Sequence, residues 1–328
     1  MKTYFLRLAR VGLFLAFLVV IVGAWVRLTD AGLGCPDWPG CYGQLVVPGS
    51  ASEQADAATA FPERPLDVGK AWREMIHRYL ATGLGLICML LAGLAWLNRA
   101  DPAQPRRMPA VLFGVVVLQG LLGMWTVTLL LKPVIVVAHL LGGLTTLGLL
   151  FWLGEWHRKD LLSITPAPLL KLLAPIAVIV LTLQISLGGW TSANYAALAC
   201  PDFPTCQTRW WPPTADFQEG FVIWRGLGVD YEGGVLDNPA RVSIHFAHRL
   251  GAILTTAILG FLGWLMARKI QFRLDGVVLL VTLMLQLIIG VSIVLYSAPL
   301  VIAVAHNGVA ALLLLTVLNA NQRIRHNK

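Results

Sequence analysis

The chain has 328 residues, of which 57% are hydrophobic and only 13% are charged, and its mean hydropathy is +0.72. Soluble domains contain roughly 25% charged residues, because charged side chains cover the water-exposed surface. The composition therefore excludes a water-soluble enzyme. It predicts an all-α integral membrane protein whose partner is the lipid bilayer.

Long uncharged stretches predict eight transmembrane helices. A helix needs about 20 apolar residues to cross the hydrocarbon core of a bilayer. The 47 residues Gly276–Gln322 carry no charge and must hold two spans, with a turn at Ser297-Ala298-Pro299. The eight predicted helices lie near residues 8–27, 72–97, 109–131, 133–153, 169–190, 242–267, 275–296 and 299–318.

The sequence is a tandem duplication. Gly23-Ala24-Trp25 and the segment Ala31–Cys41 recur at Gly188-Gly189-Trp190 and Ala196–Cys206, with a constant shift of 165 positions. Each half thus holds four helices, and because four is even, both halves are predicted to have the same orientation. We expect two tandem four-helix bundles with parallel pseudo-twofold symmetry. Further matches are His77-Arg78 with His248-Arg249, Gln119 and Gly123 with Gln286 and Gly290, and Val137-Ala138-His139 with Val304-Ala305-His306.

This duplication predicts an N-terminal half at residues 1–155 and a C-terminal half at 156–328, joined by a cytoplasmic stretch at Trp156–Pro168. Because the first helix has a counterpart in the second half, it is expected to be a permanent helix and not a cleaved signal peptide. The expected absence of a cleaved presequence favours a bacterial cell (inner) membrane.

The Lys and Arg residues predict the orientation. Fifteen of the 25 fall on the side of the two termini, with four acidic residues, and ten fall on the other side, with thirteen acidic residues. Because cytoplasmic loops carry the excess of Lys and Arg, both termini are predicted to be cytoplasmic. Two long loops, near Leu28–Ala71 and Thr191–Arg241, then lie outside. The net charge of +8 reports this topology and indicates no nucleic-acid binding.

Four histidines are matched by the duplication: His77, His139, His248 and His306. Each lies six or seven residues from the outer end of a predicted helix, which places it about 10 Å below the outer surface at a rise of 1.5 Å per residue. A single intramembrane histidine is as often a packed polar residue as a ligand. Four at one depth, two in each half, favour a metal site. Two imidazoles from facing helices suit the axial positions of a haem iron, whereas zinc needs three or four protein ligands.

Residues next to these histidines extend the haem hypothesis. The residue one turn after each histidine is small, which leaves space for a flat porphyrin, although small residues are also common where membrane helices touch. These residues are Ala81, Gly143, Ala252 and Ala310. Arg78 and Arg249 directly follow two of the histidines. They are predicted either to pair with haem propionates or to reach lipid headgroups.

The two halves differ three residues before the first histidine of each pair, where Glu74 is matched by His245. A carboxylate near the apolar region is costly unless it is used. We expect Glu74 to accept a proton or to stabilise positive charge on a reacting carbon. The alternative is a simple ion pair with Arg73 or Arg78. The first interpretation makes the N-terminal half the reacting half, and the sequence does not decide the role of His245.

Four of the five cysteines form C-x5-C pairs in the outer loops, Cys35 with Cys41 and Cys200 with Cys206. An oxidising outer compartment favours a disulfide within each pair. A structural staple and a redox relay both stay open as roles for these pairs. Cys88 lies alone within a predicted helix and is expected to be part of the packed core.

These features together resemble the haem A synthase family of the CtaA type, over essentially the whole chain. The segments around Gly23–Cys41, Glu74–Arg78, Gly188–Cys206 and His245–Gly251 carry most of the resemblance. It implies a membrane oxidoreductase that converts haem O to haem A by successive hydroxylation of the C8 methyl group, to a hydrate that loses water and leaves a formyl group.

The resemblance also implies roles for the site residues. His77 and His139 would bind the substrate haem O, with Glu74 as the catalytic carboxylate, and His248 and His306 would bind a resident haem b. All four histidines would be axial ligands of haem iron. The implied partners are a haem O synthase upstream and cytochrome oxidase assembly downstream.

Two alternatives come from other classes of protein. One is a dihaem b membrane cytochrome that passes electrons between quinol and the periplasmic thiols of the loops, and the other is a transporter whose histidines relay protons. The sequence does not decide the electron acceptor, whether water or O2 supplies the oxygen, or the oligomeric state, so a homo-oligomer stays open.

Overall fold

The computed structural model describes residues 2–155 and 167–325, which form ten α-helices and one short 3-10 helix. Eight of these helices are long and apolar enough to cross a membrane, which confirms the predicted class and the eight predicted spans. They are α1 (Lys2–Leu28), α3 (Val68–Leu97), α4 (Arg107–Thr128), α5 (Pro133–Gly154), α6 (Pro168–Ala193), α8 (Asn238–Ala267), α9 (Arg273–Leu295) and α10 (Leu300–Arg325). Two short helices in the long loops, α2 (Ala51–Ala60) and α7 (Phe217–Gly220), are not predicted by the hydropathy pattern.

Polar caps determine where the second long helix of each half begins. Asp67 precedes α3, and its carboxylate accepts the backbone N–H of Lys70 at 2.9 Å; Asp237 precedes α8 and accepts the N–H of Ala240 at 3.0 Å. The N–H of Lys70 lowers the pKa of Asp67, which therefore stays ionised beside the positive end of the helix dipole. Both helices begin four residues before the predicted start, because hydropathy detects only their apolar part.

The chain groups into two compact units. The first comprises Met1–Trp156 with Ile223–Val235, and the second comprises His157–Val222 with Leu236–Lys328. Most of the predicted link Trp156–Pro168 lies outside the described residues. In the first unit α1 and α4 each pack against both α3 and α5, so the four helices close a ring. In the second unit α6 and α9 each pack against both α8 and α10 in the same way. Each unit therefore contains one four-helix bundle.

Both long loops contain the predicted disulfide, which confirms the pairing. In the first loop Asp37 accepts the backbone N–H groups of Tyr42 at 2.7 Å and Gly43 at 2.8 Å. Asp202 plays the same part in the second loop, where it accepts the N–H groups of residues 207 and 208 at 2.7 and 2.9 Å. The hydroxyl of Thr205 and these two N–H groups lower the pKa of Asp202. The matched aspartate of the Pro-Asp-aromatic-Pro turn thus has the same hydrogen-bonding role in both loops.

One segment of the second long loop, Ile223–Val235, belongs to the first unit. Tyr231 is buried there with the hydrophobic residues Leu33, Val127 and Leu131, and its backbone N–H donates to the carbonyl of Leu130 at 3.1 Å. The guanidinium of Arg64 pairs with Asp230 and Glu232 of the same segment. The duplication does not predict this arrangement, because contacts between distant loop residues leave no periodic signal in the sequence.

Lys132 fastens this segment to the start of α5. Its side chain is buried, with 1% of the residue exposed, and its ammonium group donates to the carbonyl oxygen of Gly226. The same group lies 3.7 Å from the centroid of the Trp224 ring, which is a cation–π distance. A charge this deeply buried is stable only because the segment supplies these partners.

We therefore expect Lys132→Met to release the segment Ile223–Val235, because the carbonyl and the aromatic ring lose their cation. The free energy of local opening should fall by about 1–3 kcal/mol, measured as faster amide hydrogen exchange in residues 223–235. Lys70→Met is the matched control. Lys70 contacts the same segment, through Glu232, but keeps 34% of its side chain exposed. Equal exchange in both variants would contradict the role given to Lys132.

Candidate functional site: paired histidines in each bundle

The structure brings together the histidines of each half. His77 on α3 and His139 on α5 stand on opposite corners of the first ring of helices, with ring centroids 6.4 Å apart and ring planes at 80°. His248 on α8 and His306 on α10 occupy the equivalent corners of the second ring. Each bundle thus carries two histidines on opposite helices.

This geometry fits a group held by two axial ligands. A metal ion about 2 Å from one nitrogen of each imidazole places the two ring centroids roughly 6 Å apart. The Nδ1 atoms of His77, His139 and His306 are buried and have no hydrogen-bonding partner among the described residues. Buried polar atoms are normally satisfied, so no hydrogen bond within the described residues holds these three rings through Nδ1. The residues present therefore fit a haem in each bundle.

Each of the four histidine rings packs against a glycine of a neighbouring helix. A Cβ atom on these glycines would lie 2.9, 3.4, 3.1 and 3.0 Å from the ring Cε1 atom, so a side chain there would crowd or displace the imidazole. We call these glycines the sockets; they are Gly23 for His77, Gly123 for His139, Gly188 for His248 and Gly290 for His306. In the sequence these glycines are visible only as matched positions of the duplication. That matching was the available signal for their contact with the histidines.

Glu74 lies one turn before His77 and is 4% exposed. Its Oε2 atom accepts the backbone N–H of Cys35 at 2.9 Å, and its Oε1 atom accepts from the guanidinium of Arg78 at 2.5 Å. The ion pair with Arg78 named as the alternative therefore exists, in a buried setting. Glu74 connects the helix that carries His77 to the disulfide loop above it.

His245 occupies the equivalent position in the second half. Its Nδ1 atom lies 3.2 Å from the backbone N–H of Cys200, and its Nε2 atom lies 3.2 Å from Nε of Arg249. A neutral imidazole accepts only one hydrogen bond, whereas a carboxylate accepts several. Glu74 and His245 therefore each bind a disulfide loop, and we call this position the loop anchor. Only the N-terminal half has a carboxylate there.

The two arginines that follow the first histidine of each pair both bind a disulfide loop. Arg78 donates to the carbonyl oxygens of Asp37 at 3.0 Å and Gly40 at 2.5 Å, in addition to its pair with Glu74. Arg249 likewise donates to carbonyl oxygens of the second disulfide loop, those of Cys200 at 2.8 Å, Asp202 at 2.8 Å and Thr205 at 2.7 Å. A guanidinium one turn beyond Glu74 or His245 is thus within reach of the loop, and the pairing of these arginines with haem propionates or lipid headgroups stays a prediction.

Glutamines fill part of the space beside the histidines. The Oε1 atom of Gln119 lies 4.0 Å from where a Cβ on Gly143 would be, and its Nε2 atom lies even closer to Gly142. The glycine that makes room for this glutamine is therefore Gly142, three residues after His139, whereas a Cβ on Gly143 would only touch it. In the second bundle Gln184 and Gln286 contact the rings of His248 and His306, with Nε2 of each glutamine 3.1 and 3.2 Å from a ring nitrogen.

The fold and the site together define an eight-helix membrane protein with two bis-histidine sites, each near the end of the bundle that carries a disulfide loop. The chain belongs to the COX15-CtaA family of cytochrome oxidase assembly proteins, whose model matches residues 7–318. This match covers both histidine pairs and both disulfide loops.

The full-length relatives agree with one another. The chain is 44% identical over 322 residues to the heme A synthase of Shewanella oneidensis, covering 97% of this chain and 96% of that protein. It is 29% identical to the heme A synthase of Rhizorhabdus wittichii, covering 93% of this chain and 89% of the relative. The heme A synthase of Halalkalibacterium halodurans is 24% identical, with 95% and 94% covered.

The sockets give a direct test of the site. We expect Gly188→Ala and Gly290→Ala to displace the imidazoles of His248 and His306, because overpacking costs about 1–3 kcal/mol. The ratio of low-spin haem to purified protein should then fall by roughly tenfold, since about 1.4 kcal/mol changes an equilibrium constant tenfold. Gly260→Ala is the matched control, because a Cβ there meets only Leu283, at 3.9 Å. A parental haem spectrum in both socket variants would contradict the contact.

Proposed function

We propose that this protein oxidises the C8 methyl group of haem O to a formyl group, giving haem A for cytochrome oxidase assembly. The observation that carries the proposal is the pair of facing histidines, His77 and His139, with ring centroids 6.4 Å apart. The relationship to a heme A synthase that is 44% identical over 97% of the chain supports the same activity.

In this proposal the N-terminal bundle holds haem O through His77 and His139. Glu74 is the catalytic carboxylate beside the reacting methyl group during successive hydroxylation. Glu74 supports this role because it lies one turn before His77 and is almost fully buried. Its hydrogen bonds from Cys35 and Arg78 use two of about four acceptor positions of a carboxylate. The remaining positions can accept a proton or stabilise positive charge on the carbon.

The C-terminal bundle is proposed to hold a resident haem b through His248 and His306, and this haem supplies one-electron redox chemistry when bound. The contrast at the loop anchor supports this division of roles. His245 stands where the N-terminal half has Glu74, so the second bundle lacks the buried carboxylate that we assign to the chemistry. The contact of Gln184 with Nδ1 of His248 also favours a permanently held group.

We propose that the disulfides are structural staples and not redox relays. Their four cysteines are at most 1% exposed, which hinders exchange with an external thiol. Each loop is also fixed to a helix through the backbone N–H of its first cysteine. The placement of Lys and Arg supports a bacterial cell membrane with both termini cytoplasmic, where a haem O synthase would supply the substrate.

Pigment extraction tests the two haem roles together. We expect the purified parent protein to contain haem b together with haem O or haem A. His248→Ala and His306→Ala should each remove haem b and leave the protein inserted in the membrane, because the ligands of this haem come only from the C-terminal bundle. The measurement is haem content by chromatography, with the low-spin spectrum as a second readout.

Two results would contradict the proposal. A parent that holds only haem b would favour the electron-transferring cytochrome, and retention of low-spin haem b in both variants would reject the assignment of His248 and His306.

Glu74→Gln is expected to keep haem binding and to block conversion of haem O. The amide keeps the size of the side chain and can still accept from Cys35, but it loses the charge. Removing one electrostatic stabiliser typically lowers a rate about 10²–10³-fold, so the extracted pigment should shift from haem A to haem O or a hydroxylated intermediate. Glu63→Gln, at an exposed position, is the control and should behave as the parent. Haem A produced at the parental rate by Glu74→Gln would refute a catalytic role.

A further inference from the structure

The two bundles differ in the helix that faces the first histidine of each pair. Four residues before the socket Gly188, α6 carries Gln184; four residues before the socket Gly23, α1 carries Val19. Since Gly188 contacts the ring of His248 and Gly23 contacts the ring of His77, these two positions stand in the same relation to the histidine. The duplication therefore places a polar side chain beside one ligand and a hydrocarbon beside the other.

Gln184 is fitted closely to His248. Its Nε2 atom lies 3.1 Å from Nδ1 of the imidazole and donates to the backbone carbonyl of His248 at 3.0 Å. Its Oε1 atom is buried without a hydrogen-bonding partner among the described residues, and it lies 2.2 Å from where a Cβ on Gly251 would be. Only a glycine at position 251 leaves room for this amide.

The first histidine of the N-terminal bundle has neither part of this arrangement. Leu80 occupies the position that matches Gly251, three residues after the histidine, and Val19 stands where the other half has the glutamine. The Nδ1 atom of His77 has no hydrogen-bonding partner within residues 2–155 and 167–325, which is also true of His306. The two differences are complementary, because any side chain at position 80 adds a Cβ atom at the position where Gly251 leaves room for the amide.

A hydrogen bond at Nδ1 matters for a metal-ligating histidine. When iron takes Nε2, the proton stays on Nδ1, and ligating histidines almost always donate it to an acceptor that fixes the ring. As the structure stands, Nε2 of Gln184 faces Nδ1 and also donates to the backbone carbonyl of His248. A half-turn of the amide would present Oε1 to the Nδ1 proton in the ligated state, and it would exchange the bond to the carbonyl for this bond to the ring. No equivalent acceptor is present beside His77 among the described side chains.

We infer that Gln184 is a positioning residue that holds His248 on a permanently bound haem. In the other bundle Val19 and Leu80 leave His77 as the ligand that turns away when haem O enters and haem A leaves. This inference rests on the proposed function, which requires one bundle to retain its haem and the other to exchange it. The same scaffold achieves both by adding or removing one hydrogen bond at a ligand.

Gln184→Val tests the retaining side. Loss of a partner of this kind typically weakens metal binding about 10–100-fold. We therefore expect haem b to leave the purified full-length protein about 10–100-fold faster, measured as transfer to excess apomyoglobin in detergent. The variant removes a polar group from a membrane helix, so insertion should not suffer. Release at the parental rate would overturn the role of Gln184.

Val19→Gln combined with Leu80→Gly tests the exchanging side, because it rebuilds the arrangement of the C-terminal bundle around His77. Release of haem O or haem A should slow by about tenfold, while release of haem b stays as in the parent. Val19→Gln alone is the matched control and should not slow release, since Leu80 still fills the space. Val20→Gln adds the same amide one residue further along α1 and serves as a second control. Unchanged release in the double variant would overturn the inference for His77.

The inference and the proposed function can fail separately. If the parent still converts haem O to haem A while release is unaffected in Gln184→Val and in the double variant, only the inference is lost. If the parent contains only haem b, the proposed function fails together with the exchanging role of His77, and the release rate of Gln184→Val still decides the role of Gln184.

Discussion

An imidazole reaches the centre of a four-helix bundle only where the adjacent helix leaves room for the ring. Packed helix axes lie about 8–10 Å apart, so the side chains at a contact fill the space between them. All four histidines meet this constraint in the same way, with a socket glycine on the neighbouring helix. The socket lets two rings face one another across the bundle, and the rest of the site is arranged around that pair.

The disulfide loops depend on the same helices. In each half the residue one turn before the first histidine takes the backbone N–H of the first loop cysteine, and an arginine four residues further on binds the carbonyl oxygens of the loop. Loop position and ligand position are thus linked through one turn of helix. Because the link survives the replacement of Glu74 by His245, anchoring alone does not require a carboxylate. Anchoring therefore does not explain why the N-terminal half has a carboxylate at this position.

Duplication gave two bundles with one scaffold, and a few side chains separate their roles. Glu74 and His245 differ at the loop anchor, and Val19 and Gln184 differ beside the first ligand. Neither difference changes how the helices pack. Each changes the charge or the hydrogen bonding within a few ångströms of a histidine. Two bundles built from matching helices therefore offer different chemical surroundings to their histidines.

The sequence by itself determined the eight spans, the duplication, the disulfide pairs and the pairing of histidines, because hydropathy, repeat spacing and depth along a helix are properties of the chain taken in order. Only the tertiary structure decided what each matched residue touches. It showed that the repeated glycines face imidazoles, that Arg78 binds loop carbonyls, and that Ile223–Val235 belongs to the first unit. These contacts join residues far apart in the chain, and which neighbour a helix face meets is decided only when the helices pack together.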